Sequence, residues 1–136
     1  MIKLIIFDLD GVLVKAKDIH YNALNEALGE KYSINWNEHL SVYDGLKTVQ
    51  KLNMLSEQKE LPIELHSKVW KIKQKLTLQK LKELKHNKIL IELMSSLVDD
   101  GYKIAVCSNS IRKTVLTVLS KLGIMEYMDL VISNED

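Results

Sequence analysis

FDLDGV, Phe7 to Val12, continues the apolar run LIIF, Leu4 to Phe7, and sets two acids two residues apart just before a glycine. An unbroken run of this kind, rich in β-branched residues, fits a short strand covered on both faces, as in a parallel sheet between helices. KIAVCS (Lys103 to Ser108) and DLVIS (Asp129 to Ser133) have the same character. Between them Ile111, Val115, Val118, Leu119 and Leu122 recur at helical spacing, with Gly123 where a left-handed C-cap belongs. Lys88 to Asp99 is helical by the same test and stops before Gly101. Helix and strand therefore alternate, which implies right-handed crossovers and a doubly wound parallel α/β sheet.

The first two strands lie about ninety residues apart, whereas a crossover needs only about a dozen. The excess carries helical patterns at Ile19 to Leu28, Leu46 to Leu55 and Leu65 to Leu84, with the single proline, Pro62, ahead of the third. The expected organisation is an α/β core from residues 1–14 and 86–136 with an inserted helical subdomain over 15–85.

The chain has 136 residues, 46% of them hydrophobic and 27% charged, with a net charge of +1: the profile of one ordinary globular domain. A single cysteine excludes an internal disulfide framework. MIKLIIFD offers too short an apolar run for a signal-peptide core or a membrane span, so a cytoplasmic location without membrane contact is expected. Seven lysines between Lys68 and Lys85, against the single acid Glu83, read as a solvated helix face or as an attractor of anionic substrate. With only Trp70 available for stacking, no nucleic-acid partner is expected. Cys107 alternates within its strand and reads as inert core. The histidines lack ligand spacing, which excludes a transition-metal site.

Residues i and i+2 of a strand point to one side, so Asp8 and Asp10 are expected to project together at the carboxyl edge of the sheet, where α/β folds bind ligands. Carboxylates this close repel unless a cation neutralises them, and a hard ion such as Mg²⁺ suits them. One could then attack an electrophile while the other moves protons. The alternative is a pair of turn residues before Gly11. In CSNSIRK, Cys107 to Lys113, the hydroxyls of Ser108 and Ser110 and the amide of Asn109 stand where a strand ends and a helix begins. That is either an anion seat or a plain N-cap.

FDLDGV followed by an apolar strand and SNS resembles the haloacid dehalogenase superfamily, whose motifs are DxDG[VT] after a strand and a Ser or Thr at the end of the next core strand. The resemblance implies an incomplete Rossmann-like core with a helical cap that opens and closes over the site. It also implies Mg²⁺-dependent phosphatase chemistry on a small phosphorylated metabolite. Asp8 would be the nucleophile and a metal ligand, and Asp10 the general acid/base, lending its carbonyl to the metal. Ser108 would bind the transferring phosphate, with Asn109 beside it. Likeness to the phosphoglycolate phosphatase and β-phosphoglucomutase branch appears in DGVLVKAKDIHYNAL. There His20 takes a cap-entry position, as a substrate contact or a packed hinge residue, and Lys15 replaces the usual Asp. YDGL, Tyr43 to Leu46, resembles the cap loop that reaches the substrate, which makes Lys47 a candidate for specificity. A phosphomutase would use the same residues.

The family's later Lys and acidic strand end have no counterpart up to Asp136. The chain as given is therefore expected to be weakly active or inactive, or a non-catalytic fragment that binds Mg²⁺ or phosphate without turnover. It is also expected to leave the first strand at the sheet edge, which favours a homodimer or swapped assembly through residues 2–8, or poor solubility.

Overall fold

The computed structural model describes every residue from Met1 to Asp136. In chain order it runs β1 (Leu4–Asp8), α1 (Lys17–Leu28), the single turn α2 (Trp36–Glu38), α3 (Thr48–Lys59), α4 (His66–Leu81), α5 (Lys88–Asp99), β2 (Lys103–Cys107), α6 (Arg112–Leu122) and β3 (Leu130–Ile132). A π-helical turn, His39–Tyr43, continues α2, and a short 3-10 turn, Ile63–Leu65, follows Pro62 and leads into α4. None of the helices is long and apolar enough to cross a membrane.

Two compact units result: residues 1–15 with 80–136, and residues 16–79. In the first, the strands form one parallel sheet in the order β1-β2-β3. β2 is central, and Ile104, Ala105 and Val106 are buried with Val115, Val118, Leu119 and Leu122 of α6 and Met94 of α5. Asp129 fixes the β2–β3 register from both sides: its N–H donates to the Ile104 carbonyl (2.8 Å) and its carboxylate accepts from the Ile104 N–H (2.9 Å). That backbone hydrogen bond, with Lys103 beside it, holds the Asp129 carboxyl below its ordinary range.

The apolar stripe of α6 ends at Gly123, which takes the left-handed conformation (φ 81°, ψ 21°) that closes the helix. The turn is packed tightly: a Cβ at Gly123 would lie 2.9 Å from Ile91 Cδ1 and 3.1 Å from His86 Cγ. Nearby, the Asn87 side chain caps α5 by accepting from the Leu90 N–H (3.2 Å), while the Asn87 N–H donates to the Leu122 carbonyl (3.0 Å). The end of α6 and the start of α5 therefore share one junction.

The helical unit has its own core, in which Leu24, Leu28, Ile34, Tyr43, Leu52, Leu55, Leu61 and Val69 are buried together. Asn35 and Glu38 cap α2 reciprocally, each side chain accepting from the other's backbone N–H at 2.9 Å. The next residue, His39, is wholly buried, and neither ring nitrogen has a hydrogen-bond partner. Its ring lies 5.4 Å from Trp36 and 5.3 Å from Tyr21. Burial pushes its pKa down; the Lys51, His20 and Lys17 charges push the same way, and Asp44 alone opposes them.

Gly123→Ala is expected to destabilise the chain by about 1–3 kcal/mol, from left-handed strain plus crowding against Ile91 and His86. A urea midpoint equal to that of the parent would contradict this. His39 makes a second expectation. Because its folded pKa is depressed, the unfolded chain takes up the proton first as pH falls below about 6.5, so stability is full above that pH and declines beneath it. One proton sets the slope at no more than about 1.4 kcal/mol per pH unit. His39→Phe should flatten the decline between about pH 6.5 and 5 in denaturant titrations, and an unchanged slope would exclude His39 as its source.

Candidate active site at the carboxyl edge of the sheet

β1 ends at Asp8, and the next residue, Leu9, is completely buried. The Leu9 carbonyl then gathers the N–H groups of Val12, Leu13 and Val14 at 3.3, 3.0 and 3.2 Å. Gly11 makes this wrap feasible with φ 81°, and its N–H donates to the Val14 carbonyl at 2.7 Å. Asp10 consequently leaves the strand and forms an isolated bridge with Val14, so strand alternation does not govern its direction. Asp8 is exposed and Asp10 half-buried. One Asp8 oxygen accepts from the Leu9 N–H at 2.8 Å.

The second motif reaches the same edge through the register, in which Asp8 pairs with Cys107 and Cys107 with Ile132. Ser108, the next residue, is buried, and its N–H donates to the Ile132 carbonyl at 3.0 Å. Its Oγ accepts from the Ser110 N–H at 3.1 Å, and the Ser110 hydroxyl donates to Asp10 Oδ2 at 3.4 Å. Ser110 is thus the direct link between the motifs. Sequence reasoning placed it in the anion seat without foreseeing this bond, which only the strand register creates. Asn109 is exposed, and its carbonyl accepts from the Asn134 side chain at 3.0 Å.

The helix after this loop begins later than the anion-seat reading assumed, at Arg112, with Ile111 at the N-cap and no side-chain cap. Its first N–H already holds a carboxylate, donating to Glu135 Oε2 at 2.6 Å. The Arg112 guanidinium binds Asp136, which also accepts from the Ser133 N–H (2.7 Å) and hydroxyl (3.0 Å). The Ser133 N–H first, and Arg112 next, lower the Asp136 carboxyl to about 2. SNED, Ser133 to Asp136, therefore ties the α6 start to the end of β3. Its sequence signal is a Ser three residues before an Asp, the spacing of a capping box.

Cys107 is exposed, against the expectation of inert core. Within β2 only Ile104 to Val106 are buried, and Cys107 is the strand's last residue, at its carboxyl end.

In the helical unit, His20 is half-buried with Nδ1 3.2 Å from Lys73 Nζ. Lys73 is 4% exposed, so the lysine-rich stretch is not uniformly the solvated face expected of it, and Lys51 of α3 is likewise buried at 5%. Thr48, Gln74 and Thr77 supply polar company: Gln74 Nε2 lies 3.4 Å from Thr48 Oγ1, and the Thr77 hydroxyl donates to the Lys73 carbonyl at 2.8 Å. Lys47 is exposed at the N-cap of α3, where its N–H donates to the Gln50 side chain at 3.0 Å.

No three His, Cys, Asp or Glu side chains converge as a metal cluster. Asp8 and Asp10 are nevertheless oxygen donors of the right hardness, and Mg²⁺ is commonly held by one or two carboxylates, with substrate phosphate and water completing its shell.

The fold is that of several solved structures. The β-phosphoglucomutase of Clostridium difficile superposes over the whole chain and 63% of its own length, with a TM-score of 0.86 and 24% identity. A predicted phosphoglycolate phosphatase from Haemophilus somnus 129PT matches 98% of this chain and 63% of its own, with a TM-score of 0.81 and 21% identity. A variant of CbbY from Rhodobacter sphaeroides, solved with xylulose-(1,5)bisphosphate, matches 98% and 64%, with a TM-score of 0.82 and 18% identity. The chain thus spans less than two thirds of each of these proteins. No curated protein matches the sequence. The family model of haloacid dehalogenase-like hydrolases matches residues 5–136, from within β1 to the SNED turn, and the chain accordingly belongs to the haloacid dehalogenase-like hydrolase family.

Proposed function

We propose that this chain carries the nucleophile half of a phosphatase that acts on a small phosphate monoester through an aspartyl-phosphate. The observation that carries the reading is the register of β1 on β2, which puts Asp8 beside Cys107-Ser108 and lets Ser110 bond Asp10.

One Asp8 oxygen accepts from the Leu9 N–H, and in this reading the other attacks phosphorus. The phosphorus–oxygen bond to the leaving group breaks, and Asp10 donates its proton to the departing alkoxide. Water then attacks the phosphoryl group on Asp8 while Asp10 takes the water proton, releasing inorganic phosphate and restoring the Asp8 carboxylate and the protonated Asp10. The Ser108 oxygen already accepts from the Ser110 N–H, so its hydroxyl proton remains to donate to a phosphoryl oxygen. Asn109 stands next to it as a second candidate for phosphate contact. Mg²⁺, which enzymes of this family generally use, would be held by Asp8 and Asp10 and would neutralise charge on the transferring group.

Lys47 is retained as a candidate for specificity. The fold likeness to a β-phosphoglucomutase and to a bisphosphate-bound CbbY keeps phosphomutase activity as the second reading. A free, exposed thiol accords with the reducing cytoplasm as the place of action. The test is a screen of phosphate monoesters with Mg²⁺ and with chelator, on the 136-residue chain and on any longer form that contains it. Release of phosphate identifies a phosphatase, whereas phosphoryl return to another hydroxyl of the sugar identifies a mutase.

In the active form, Asp8→Asn is expected to abolish turnover, because an amide neither attacks phosphorus nor ligates Mg²⁺ well. Activity within about tenfold of the parent would remove Asp8 from the chemistry. Asp10→Asn should lose most of the rate while keeping part of the metal affinity, and unchanged hydrolysis would exclude it as the acid/base. Ser108→Ala should cost about 1.5–3 kcal/mol of phosphate affinity, read as a raised inhibition constant for inorganic phosphate. An unaltered constant would leave Ser108 as a turn residue alone.

A further inference from the structure

His39 is completely buried, and both of its ring nitrogens are without a hydrogen-bond partner, a costly state for a polar group. It opens the π-helical turn His39–Tyr43, which closes where the Asp44 N–H donates to the His39 carbonyl at 2.7 Å. Single turns of this i→i+5 kind are rare and recur at functional sites. The wide turn returns Asp44 to His39, with Oδ1 3.9 Å from Nε2, too far for a hydrogen bond. The other Asp44 oxygen lies 3.3 Å from Lys17 Nζ. Gly45 follows with φ 78°, the Leu46 N–H donates to the Tyr43 carbonyl at 3.2 Å, and Lys47 then stands at the N-cap of α3.

The charges around the ring are lopsided. Lys17 and His20 of α1 and Lys51 of α3 all disfavour a second proton on it, and Lys73 of α4 stands 3.2 Å from His20. Glu38, the residue before, is engaged by the Asn35 N–H and by Lys59. Asp44 is the acid that favours the charged imidazole. We infer that residues 43–46 form a proton-operated latch, in which protonation of His39 draws the Asp44 carboxylate from Lys17 onto the ring and reshapes the turn that leads into α3. A neutral imidazole has one N–H, whereas the cation has two donors to satisfy. The ring is stacked on Trp36 at 5.4 Å with 29° between the planes, while the Asp44 side chain is 31% exposed, so the carboxylate is the partner that moves. Pairing relieves a charge that would otherwise be buried alone. Burial and the neighbouring cations keep the latch open at neutral pH, and it closes below the ordinary histidine value of about 6.5. Its bearing on Lys47 and specificity rests on the phosphatase reading, whereas the latch itself does not.

Nuclear magnetic resonance of the chain in phosphate-free buffer, titrated between about pH 8 and 5, tests this. The expected result is a His39 ring that titrates below about 6.5, with the Gly45 and Leu46 amides shifting at the same midpoint. In Asp44→Asn the ring midpoint falls further and the two amides lose most of their response. In His39→Phe they lose it as well, and Asp44→Asn, altered at a partly exposed side chain, decides the matter if His39→Phe does not fold. A ring that titrates while the Gly45 and Leu46 amides stay still overturns the proposal. So does an amide response undiminished in Asp44→Asn, or a ring that stays neutral until the chain unfolds. None of these outcomes involves phosphoryl chemistry, so failure of the latch leaves the phosphatase reading standing.

Discussion

The parallel pairing of β1 with β2 is the constraint on which the rest of the core depends. It aligns Leu4 with Lys103 and carries the alignment through to Asp8 and Cys107, bringing together stretches that lie far apart in the chain. Parallel strands must be joined by a long crossover, and here the crossover contains an entire helical unit. A slip of one residue would turn Asp8 to the opposite face and move it away from Ser108. Such a slip is opposed because Ile104, Ala105 and Val106 are buried at the centre of the sheet.

Past the strand ends, hydrogen-bond satisfaction shapes the loops as much as packing does. The Leu9 carbonyl absorbs N–H groups from the DGVLV turn, and the SNS loop is held by Ser108 accepting from Ser110 and by Asn134 donating to Asn109. The first N–H of α6 is taken by Glu135. These bonds fix the loops that carry Asp8, Asp10 and Ser108 before any substrate arrives, and preorganisation of this kind is what electrostatic catalysis requires.

The elements were legible in the sequence wherever an apolar period was strong: LIIF, KIAVC, the α5 and α6 stripes and the helical insertion all appear where the pattern put them. The carboxyl-edge location of Asp8 and Ser108 was legible for the same reason, since each directly ends an apolar strand. Asp10 was misjudged as a continuation of the strand, because the wrap of backbone N–H groups onto the Leu9 carbonyl has no side-chain signature beyond Gly11. Cys107 was read as core because alternation reports which face a residue takes and is silent on whether that face is covered at the strand end. Lys73 and His39 are buried by tertiary packing, Lys73 against His20 and His39 between aromatic rings, and neither lysine counts nor histidine spacing report that.

The central claim is that Asp8 accepts the phosphoryl group. Its most direct test is acid-quenched incubation with acetyl phosphate and Mg²⁺, followed by peptide mass mapping, on the form that turns over in the substrate screen. The account predicts a single hydroxylamine-labile phosphoryl group on Asp8, lost in Asp8→Asn. A phosphoryl group found on Ser108 instead, or turnover that persists in Asp8→Asn, would contradict it.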